Sequence, residues 1–262
     1  MNNFQKMFKS ENPLIGMIHL PPLPDYDGSP GIDAVIKSAL NDLRILEELS
    51  FDGALIENEY DQPHRVKATQ ETIDAMILVT KAVVNARKNC KIGVEILLND
   101  PKASLDVAKT ANADFIRTDY FVDPMTRPGY GEFDIDPEGL IKYRKDTGSE
   151  HILIMADIQV KYATMLIDRT IAQSAKLAEQ HHADAIIISG DATGDAPVIN
   201  DLDQSKAATE IPVIIGSGFD AENGQMLLNH CDGAIVGTAL MKDKVVNTEK
   251  SRKLLTALGR LQ

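Results

Sequence analysis

Short apolar runs alternate along this chain with amphipathic stretches, and the alternation is its main structural signal. Continuous apolar runs, rather than alternating ones, indicate strands that are buried on both faces, as in parallel sheets. We predict eight such strands. They are Leu14–His19, Gly53–Asn58, Ile92–Leu97, Phe115–Asp119, Ile152–Asp157, Ala185–Ser189, Pro212–Gly216 and Ala234–Gly237.

Between these runs, apolar residues recur at helical spacing. After the first run, Val35, Ala39, Leu43 and Leu46 fall on one stripe, which is typical of a helix with one buried face. The same spacing predicts eight helices in all. They are Ile32–Leu49, Glu71–Lys88, Ser104–Thr110, Pro137–Lys145, Thr164–His181, Asp201–Thr209, Ala221–Asn229 and Thr248–Leu261.

Eight strands in strict alternation with eight helices predict an α/β fold, a single (β/α)8 TIM barrel over residues 1–262. Residues 1–12 are predicted to form a polar N-terminal extension. The alternative is an open doubly wound sheet, which usually carries a glycine-rich turn after its first strand. Here the first strand is followed by Leu20–Pro24, a proline-rich segment that cannot form that turn.

The net charge and the composition of the chain limit the classes of partner that it is expected to bind. The net charge of −12 disfavours nucleic acid and anionic membranes as general partners. The longest apolar runs have the length of a strand, so we expect no transmembrane segment. The N-terminus carries no run of the signal-peptide type, and a cytoplasmic location follows as an expectation. Homo-oligomerisation is left open.

Glycine-rich turns follow the last two predicted strands. Barrel active sites lie at the C-terminal ends of the strands, and phosphate sites are frequent in the last two loops. Glycines let backbone N–H groups approach an anion closely, although these glycines could also serve only tight turns. The predicted phosphate- or substrate-binding residues are His19, Ser189, Gly190, Thr193, Gly194, Gly216, Ser217, Gly218, Gly237 and Thr238.

Charged side chains end the other strands, and we expect them to point into the barrel mouth. Converging carboxylates fit general acid–base chemistry or a hard divalent cation such as Mg²⁺ or Mn²⁺. Structural pairing, for example of an arginine with a nearby carboxylate, is the alternative. Whether a metal binds is left open. The predicted catalytic residues are Glu57, Glu95, Arg117, Asp119, Asp157 and Lys161.

The connection Tyr120–Asp136 is the longest one without a clear apolar period. It contains Pro124, Pro128, Gly129 and Gly131, which suit an ordered but movable segment. We therefore predict that it covers the barrel mouth as a lid.

The segment Gly16–Pro24, with the sequence GMIHLPPLP, resembles the opening motif of the BtpA family, which includes SgcQ-type proteins. The resemblance extends from Pro13 to Leu240. It implies a TIM barrel. The family is named for a role in photosystem I biogenesis, while many members occur near sugar-transport genes, and no reaction is settled for it. Further similar segments are Asp52–Asn58, Asn99–Asp100, Phe115–Arg117, Ala156–Asp157, Ile188–Gly190, Val213–Gly218 and Asp232–Thr238.

The chain departs from the family pattern at three places, which lie at the third and fourth predicted strands. Glu95 stands where the family usually has Asn, Thr118 and Asp119 replace Val-Asn, and the insert Tyr120–Asp136 differs. Changes at strand ends could alter the chemistry without altering the fold.

Two functional hypotheses remain. The first is an enzyme, an isomerase, lyase or hydrolase, acting on a phosphorylated small molecule such as a sugar phosphate or a related metabolite. Phosphate would anchor the substrate, and Lys161 would act as an electrophile or charge stabiliser near Asp157. The second is a non-enzymatic biogenesis or stability factor of the photosystem I type, built on a relict barrel.

Overall fold

The computed structural model describes residues 2–261 and shows thirteen strands among them. In chain order they are β1 (Leu14–His19), β2 (Gly53–Glu57), β3 (Lys91–Glu95), β4 (Phe115–Thr118), β5 (Met125–Arg127), β6 (Gly131–Glu132), β7 (Leu153–Asp157), β8 (Thr164–Met165), β9 (Ala185–Ile188), β10 (Val213–Ile215), β11 (Ala234–Val236), β12 (Met241–Lys242) and β13 (Val245–Val246).

Eight of these strands close into a parallel barrel, which confirms the predicted TIM barrel and excludes the open sheet. The order around the barrel is β1, β2, β3, β4, β7, β9, β10, β11 and back to β1. Each predicted apolar run overlaps one barrel strand, and their ends agree within two residues. The continuous apolar pattern arises because one face of each strand meets the barrel interior and the other meets the helices.

Nine helices occur in residues 2–261, together with a 3₁₀ turn at Thr238–Leu240. Most agree with the predicted segments, but α6 begins seven residues later than predicted, because Thr164 and Met165 pair with β5 instead. The helices are α1 (Asn3–Phe8), α2 (Ile32–Glu48), α3 (Gln70–Ala86), α4 (Pro101–Ala111), α5 (Pro137–Asp146), α6 (Ile171–Gln180), α7 (Ile199–Ala208), α8 (Gly224–Leu227) and α9 (Thr248–Ala257).

The N-terminal segment is more than a polar extension, because α1 closes the end of the barrel opposite the C-terminal strand ends. Asn2 caps the helix by accepting a hydrogen bond from the Gln5 N–H. Phe4 and Phe8 are buried among the apolar residues of the barrel interior, and the Phe8 ring packs edge-on against Phe115 at 6.0 Å between centroids.

The predicted lid is ordered by strand pairing. Strand β5 pairs with β6 on one side and with β8 on the other, both antiparallel, so the segment after β4 is joined to the segment after β7. We call β5, β6 and β8 the lid sheet. No helix among residues 2–261 is long and apolar enough to cross a membrane.

Candidate active site

A row of polar residues crosses the C-terminal ends of the first three strands. The parallel register places His19 beside Glu57 and Glu57 beside Glu95. Residues in register on neighbouring strands point to the same side of a sheet, here into the barrel. His19 Nε2 lies 3.3 Å from Glu57 Oε2.

Arg117 lies at the centre of a buried charge cluster. Its Nε and Nη2 donate to the two carboxylate oxygens of Asp157 at 2.7 and 2.9 Å, which is a bidentate pair. The same Nε lies 3.5 Å from Glu95 Oε2. All three side chains are buried. One guanidinium therefore faces two carboxyl groups, and both cannot remain ionised at low cost.

The excess of negative charge is reflected in the pKa of Glu95. Burial raises its pKa well above the ordinary value, Arg117 opposes the rise, and Asp119 and Glu57 add to it. Within residues 2–261, Oε2 of Glu95 has no hydrogen-bond partner. Both observations favour the protonated, neutral form of Glu95.

Two other carboxyls have pKa values displaced in opposite directions. Burial raises the pKa of Asp119 to about 7, with the Asp157 charge adding to the rise and Arg117 opposing it. Burial also disfavours ionised Glu57, but the hydrogen bond and charge of His19 outweigh it and lower the pKa of Glu57 to about 2. At neutral pH, Glu57 is an anion, whereas Asp119 can exchange its proton.

A cavity of about 260 Å³ lies at the C-terminal ends of the strands and brings most of the predicted site together. Glu95 and Asp157 do not line it but lie against Arg117, and Ser189, Gly190 and Gly218 are also absent from the lining. The predicted residues that line it are His19, Glu57, Arg117, Asp119, Lys161, Thr193, Gly194, Gly216, Ser217, Gly237 and Thr238.

The two predicted phosphate turns differ in access. A Cβ built on Gly237 would have no atom closer than 3.4 Å, so this turn is open to the cavity. A Cβ on Gly218 would lie 2.1 Å from the backbone of Asp195 and Ala196. Ser217 fixes this arrangement, because its hydroxyl accepts from the Gly190 N–H at 3.0 Å and donates to the Asp195 carbonyl at 2.8 Å. The loop after β9 thus covers the turn after β10.

Sequence reasoning missed part of the cavity wall. Gln62, His64, Arg127, Tyr130 and Tyr162 also line it. Arg127 and Tyr130 lie within the predicted lid, and Tyr162 directly follows Lys161. Their position was therefore available from the sequence, but nothing in the pattern showed which side chains of the lid turn inwards.

The residues that could hold a metal ion are not gathered into a ready site. Among the residues that the structure describes, no three His, Cys, Asp or Glu side chains are arranged to hold one. Binding of Mg²⁺ or Mn²⁺ at the acidic strand ends stays a prediction.

The fold and site define a TIM barrel with a charged mouth, and the chain belongs to the BtpA family, whose sequence model matches residues 10–259. An uncharacterised protein of Archaeoglobus fulgidus is 33% identical over 94% of this chain and 98% of its own. The photosystem I biogenesis protein BtpA of Synechocystis is 32% identical over 94% of this chain and 86% of its own.

Solved structures support the fold at low sequence identity. Tryptophan synthase subunit alpha from Legionella pneumophila has a TM-score of 0.62 at 15% identity, covering 98% of this chain and 97% of its own. Thiamine phosphate pyrophosphorylase from Pyrococcus furiosus has a TM-score of 0.60 at 16% identity, covering 95% and 96%. Phosphoribosyl anthranilate isomerase from Thermus thermophilus has a TM-score of 0.62 at 13% identity, covering 95% and 100%.

Proposed function

We propose that this BtpA-family barrel is an enzyme that acts on a phosphorylated small molecule by acid–base chemistry. One observation carries the proposal. Asp119, with a pKa of about 7, lines the same small cavity as the open glycine turn Gly237–Thr238. A carboxyl that exchanges a proton near neutral pH is what general acid–base catalysis requires, and a glycine turn after the last barrel strand is a frequent phosphate site.

The phosphate is held by backbone N–H groups at Gly237 and Thr238. The backbone here is not covered by other backbone of residues 2–261, since a Cβ on Gly237 would first meet the side chains of Met17 and His19, at 3.4 and 3.7 Å. Anchoring the phosphate there fixes the reacting end of the molecule at the charged strand ends. Such remote binding lowers the barrier by orientation.

Each charged residue then has a distinct role. Asp119 transfers the proton. Glu57 is too weak a base for this, because its pKa is about 2, and it orients the His19 ring instead. Lys161 stabilises negative charge that develops on a substrate oxygen. Arg117, held by Asp157, forms the rigid base of the site. Isomerisation, lyase-type cleavage and hydrolysis all use this set of groups.

The enzymes named among similar structures add support. Thiamine phosphate pyrophosphorylase and phosphoribosyl anthranilate isomerase both carry phosphate in the name, and both share this fold. The competing role is the biogenesis function named for the Synechocystis relative. A scaffold has no use for carboxyls such as Glu95 and Asp119, whose burial costs stability, so the charged mouth favours catalysis.

Binding tests the proposal first. We expect sugar phosphates, but not the matching unphosphorylated sugars, to raise the melting temperature and to release or absorb heat in calorimetry. Gly237→Asp places a negative charge in the open turn and is expected to abolish this binding. Gly148→Asp adds the same charge beyond α5, near the N-terminal end of β7, and is expected to leave binding unchanged. Equal binding by both variants would contradict the phosphate site.

A further inference from the structure

Arg127 differs from the other arginines of this chain. The sequence has nine arginines, and seven form an ion pair with a carboxylate in residues 2–261. Of the other two, Arg252 is exposed on α9. Arg127 is partly buried and lines the cavity, yet no carboxylate within those residues comes within ion-pair distance of it. A partly desolvated cation without an anion is costly, unless a ligand supplies one.

The position of Arg127 is fixed by the lid sheet. Its partner in the β5–β6 ladder is Gly131. The guanidinium carbon lies 5.6 Å from the ring centroid of Tyr130 and 5.4 Å from that of Tyr162. The Tyr162 hydroxyl in turn accepts a hydrogen bond from the Thr193 N–H at 2.6 Å. The planar donor group is therefore held between two rings before any ligand arrives, which reduces the entropy cost of binding.

The side chains around Arg127 form a further part of the cavity wall. The charges of Lys161 and Arg117 act on Glu57 and Asp119. Arg127 acts on His64, Tyr120 and Tyr162. Burial lowers the pKa of His64, so that this histidine is neutral near pH 7. The side chains next to Arg127 are therefore mainly aromatic or neutral, and none of those that the structure describes forms an ion pair with it.

We propose that Arg127 binds a second oxyanion of the ligand, a carboxylate or a second phosphate, while Gly237 and Thr238 hold the first phosphate. The inference rests on the proposed function and narrows its substrate class to small molecules with an anionic group at each end. The guanidinium presents a fork of N–H donors that matches two oxygens of such a group. Arg127 is then the specificity-determining residue of the site.

Two sugar derivatives of the same carbon skeleton test this directly. Glucose 6-phosphate and 6-phosphogluconate share the phosphate and differ at the first carbon, where only the second carries a carboxylate. Fructose 1,6-bisphosphate tests a second phosphate in its place. Both 6-phosphogluconate and fructose 1,6-bisphosphate carry an anionic group at each end. We expect the wild-type protein to bind at least one of them about 10- to 100-fold more tightly than glucose 6-phosphate, as measured by calorimetry.

Three variants assign the preference. Arg127→Gln is expected to remove it while leaving glucose 6-phosphate binding within about 3-fold of wild type. Arg127→Lys keeps the positive charge but lacks the forked N–H donors, and it is expected to retain part of the preference for the ligand with two anionic ends. Arg252→Gln removes the other arginine for which the structure shows no ion pair, and this variant is expected to retain the full preference. Melting curves check that each variant folds.

The outcomes separate the two proposals. A preference lost in Arg127→Gln and kept in Arg252→Gln supports the inference. Absence of a preference in wild type, or its persistence in Arg127→Gln, overturns the inference and leaves the phosphate site standing if Gly237→Asp still abolishes binding. If neither inorganic phosphate nor any of the three compounds binds wild type, both proposals are wrong.

Discussion

Arg117 donates a hydrogen bond to each carboxylate oxygen of Asp157, with N–O distances of 2.7 and 2.9 Å. The two residues lie on neighbouring strands, since β4 pairs with β7, and both are almost completely shielded from solvent. A buried bidentate pair of this kind holds its partners in one geometry. Removal of one member leaves the charge of the other buried and uncompensated. The pair fixes the base of the cavity, on which the exchangeable carboxyl of Asp119 depends.

The two carboxyls beside Arg117 are expected to respond differently to loss of charge. Asp157→Asn breaks the bidentate pair and is expected to lower the free energy of unfolding by about 3 to 5 kcal/mol. Glu95→Gln replaces a carboxyl whose raised pKa favours its neutral form, so we expect a change within about 1 kcal/mol. Urea denaturation at pH 7 measures both. Similar losses in the two variants would show that Glu95 is ionised in the folded protein.

The raised pKa of Asp119 predicts a pH-dependent cost to stability. Its pKa is about 7 in the folded protein against a reference value of 3.8, so between these values the folded state binds more protons than the unfolded state. Stability therefore falls as the pH rises from about 4 to about 7, and levels off above. Relative to wild type, Asp119→Asn is expected to gain on the order of 4 kcal/mol at pH 8 and nothing at pH 4. Asp42 and Asp61, whose pKa values are about 6, contribute the same slope in both proteins. A difference that is independent of pH contradicts the assignment.

Gly218 is expected to tolerate no side chain. Its φ of +66° disfavours any other residue, and an added Cβ would meet the Asp195 backbone at 2.1 Å. We expect Gly218→Ala to destabilise the protein by about 3 kcal/mol or more. Gly28→Ala is the matched control, since Gly28 also has a positive φ but has open space around it, and about 1 kcal/mol is expected there. Thermal unfolding of the two variants at equal concentration distinguishes strain alone from the clash with the loop after β9.

Ligand binding is expected to protect the lid sheet from proteolysis. Pro128 and Gly129 are exposed between β5 and β6, whereas Met125 is buried. If the lid closes on a ligand, a saturating sugar phosphate should slow cutting by proteinase K between β5 and β6 several-fold. Cutting in the exposed segment before α2, around Asp27–Gly28, serves as the internal control. Unchanged rates at the lid, with binding confirmed in the same sample, argue for a fixed cover.

Much of the fold could be predicted because buried parallel strands have a distinctive pattern. The run Leu14–His19 coincides with β1 residue for residue. Helices were less certain at their ends. Ala221–Asn229 shortens to the single turn Gly224–Leu227, and Thr164–Met165 leaves the predicted helix to pair with the lid. Tertiary pairing decides such ends, and local periodicity carries no information about it.

In the candidate site too, the sequence predicted some features, and tertiary packing decided the others. Strand-end positions located Glu57, Arg117 and Asp119 correctly at the cavity, because the C-terminal ends of all barrel strands meet at one mouth. The contribution of Arg127 and the cover over Gly218 depend on how loops pack against one another. Those contacts join residues far apart in sequence and leave no periodic trace.

The helix α1 has a consequence for kinetics. Phe4 and Phe8 fill the end of the barrel opposite the charged mouth, and Gly53 leaves room for the Phe8 ring, which would lie 3.1 Å from a Cβ there. The apolar side chains packed between these rings and the charged mouth fill the barrel interior, which leaves a ligand no path through the barrel. A ligand must leave by the route through which it entered, past the lid sheet in both directions. If the lid closes on a ligand, the rate of lid opening sets an upper limit on the dissociation rate, and substitutions that loosen the lid should then shorten the residence time of every ligand alike.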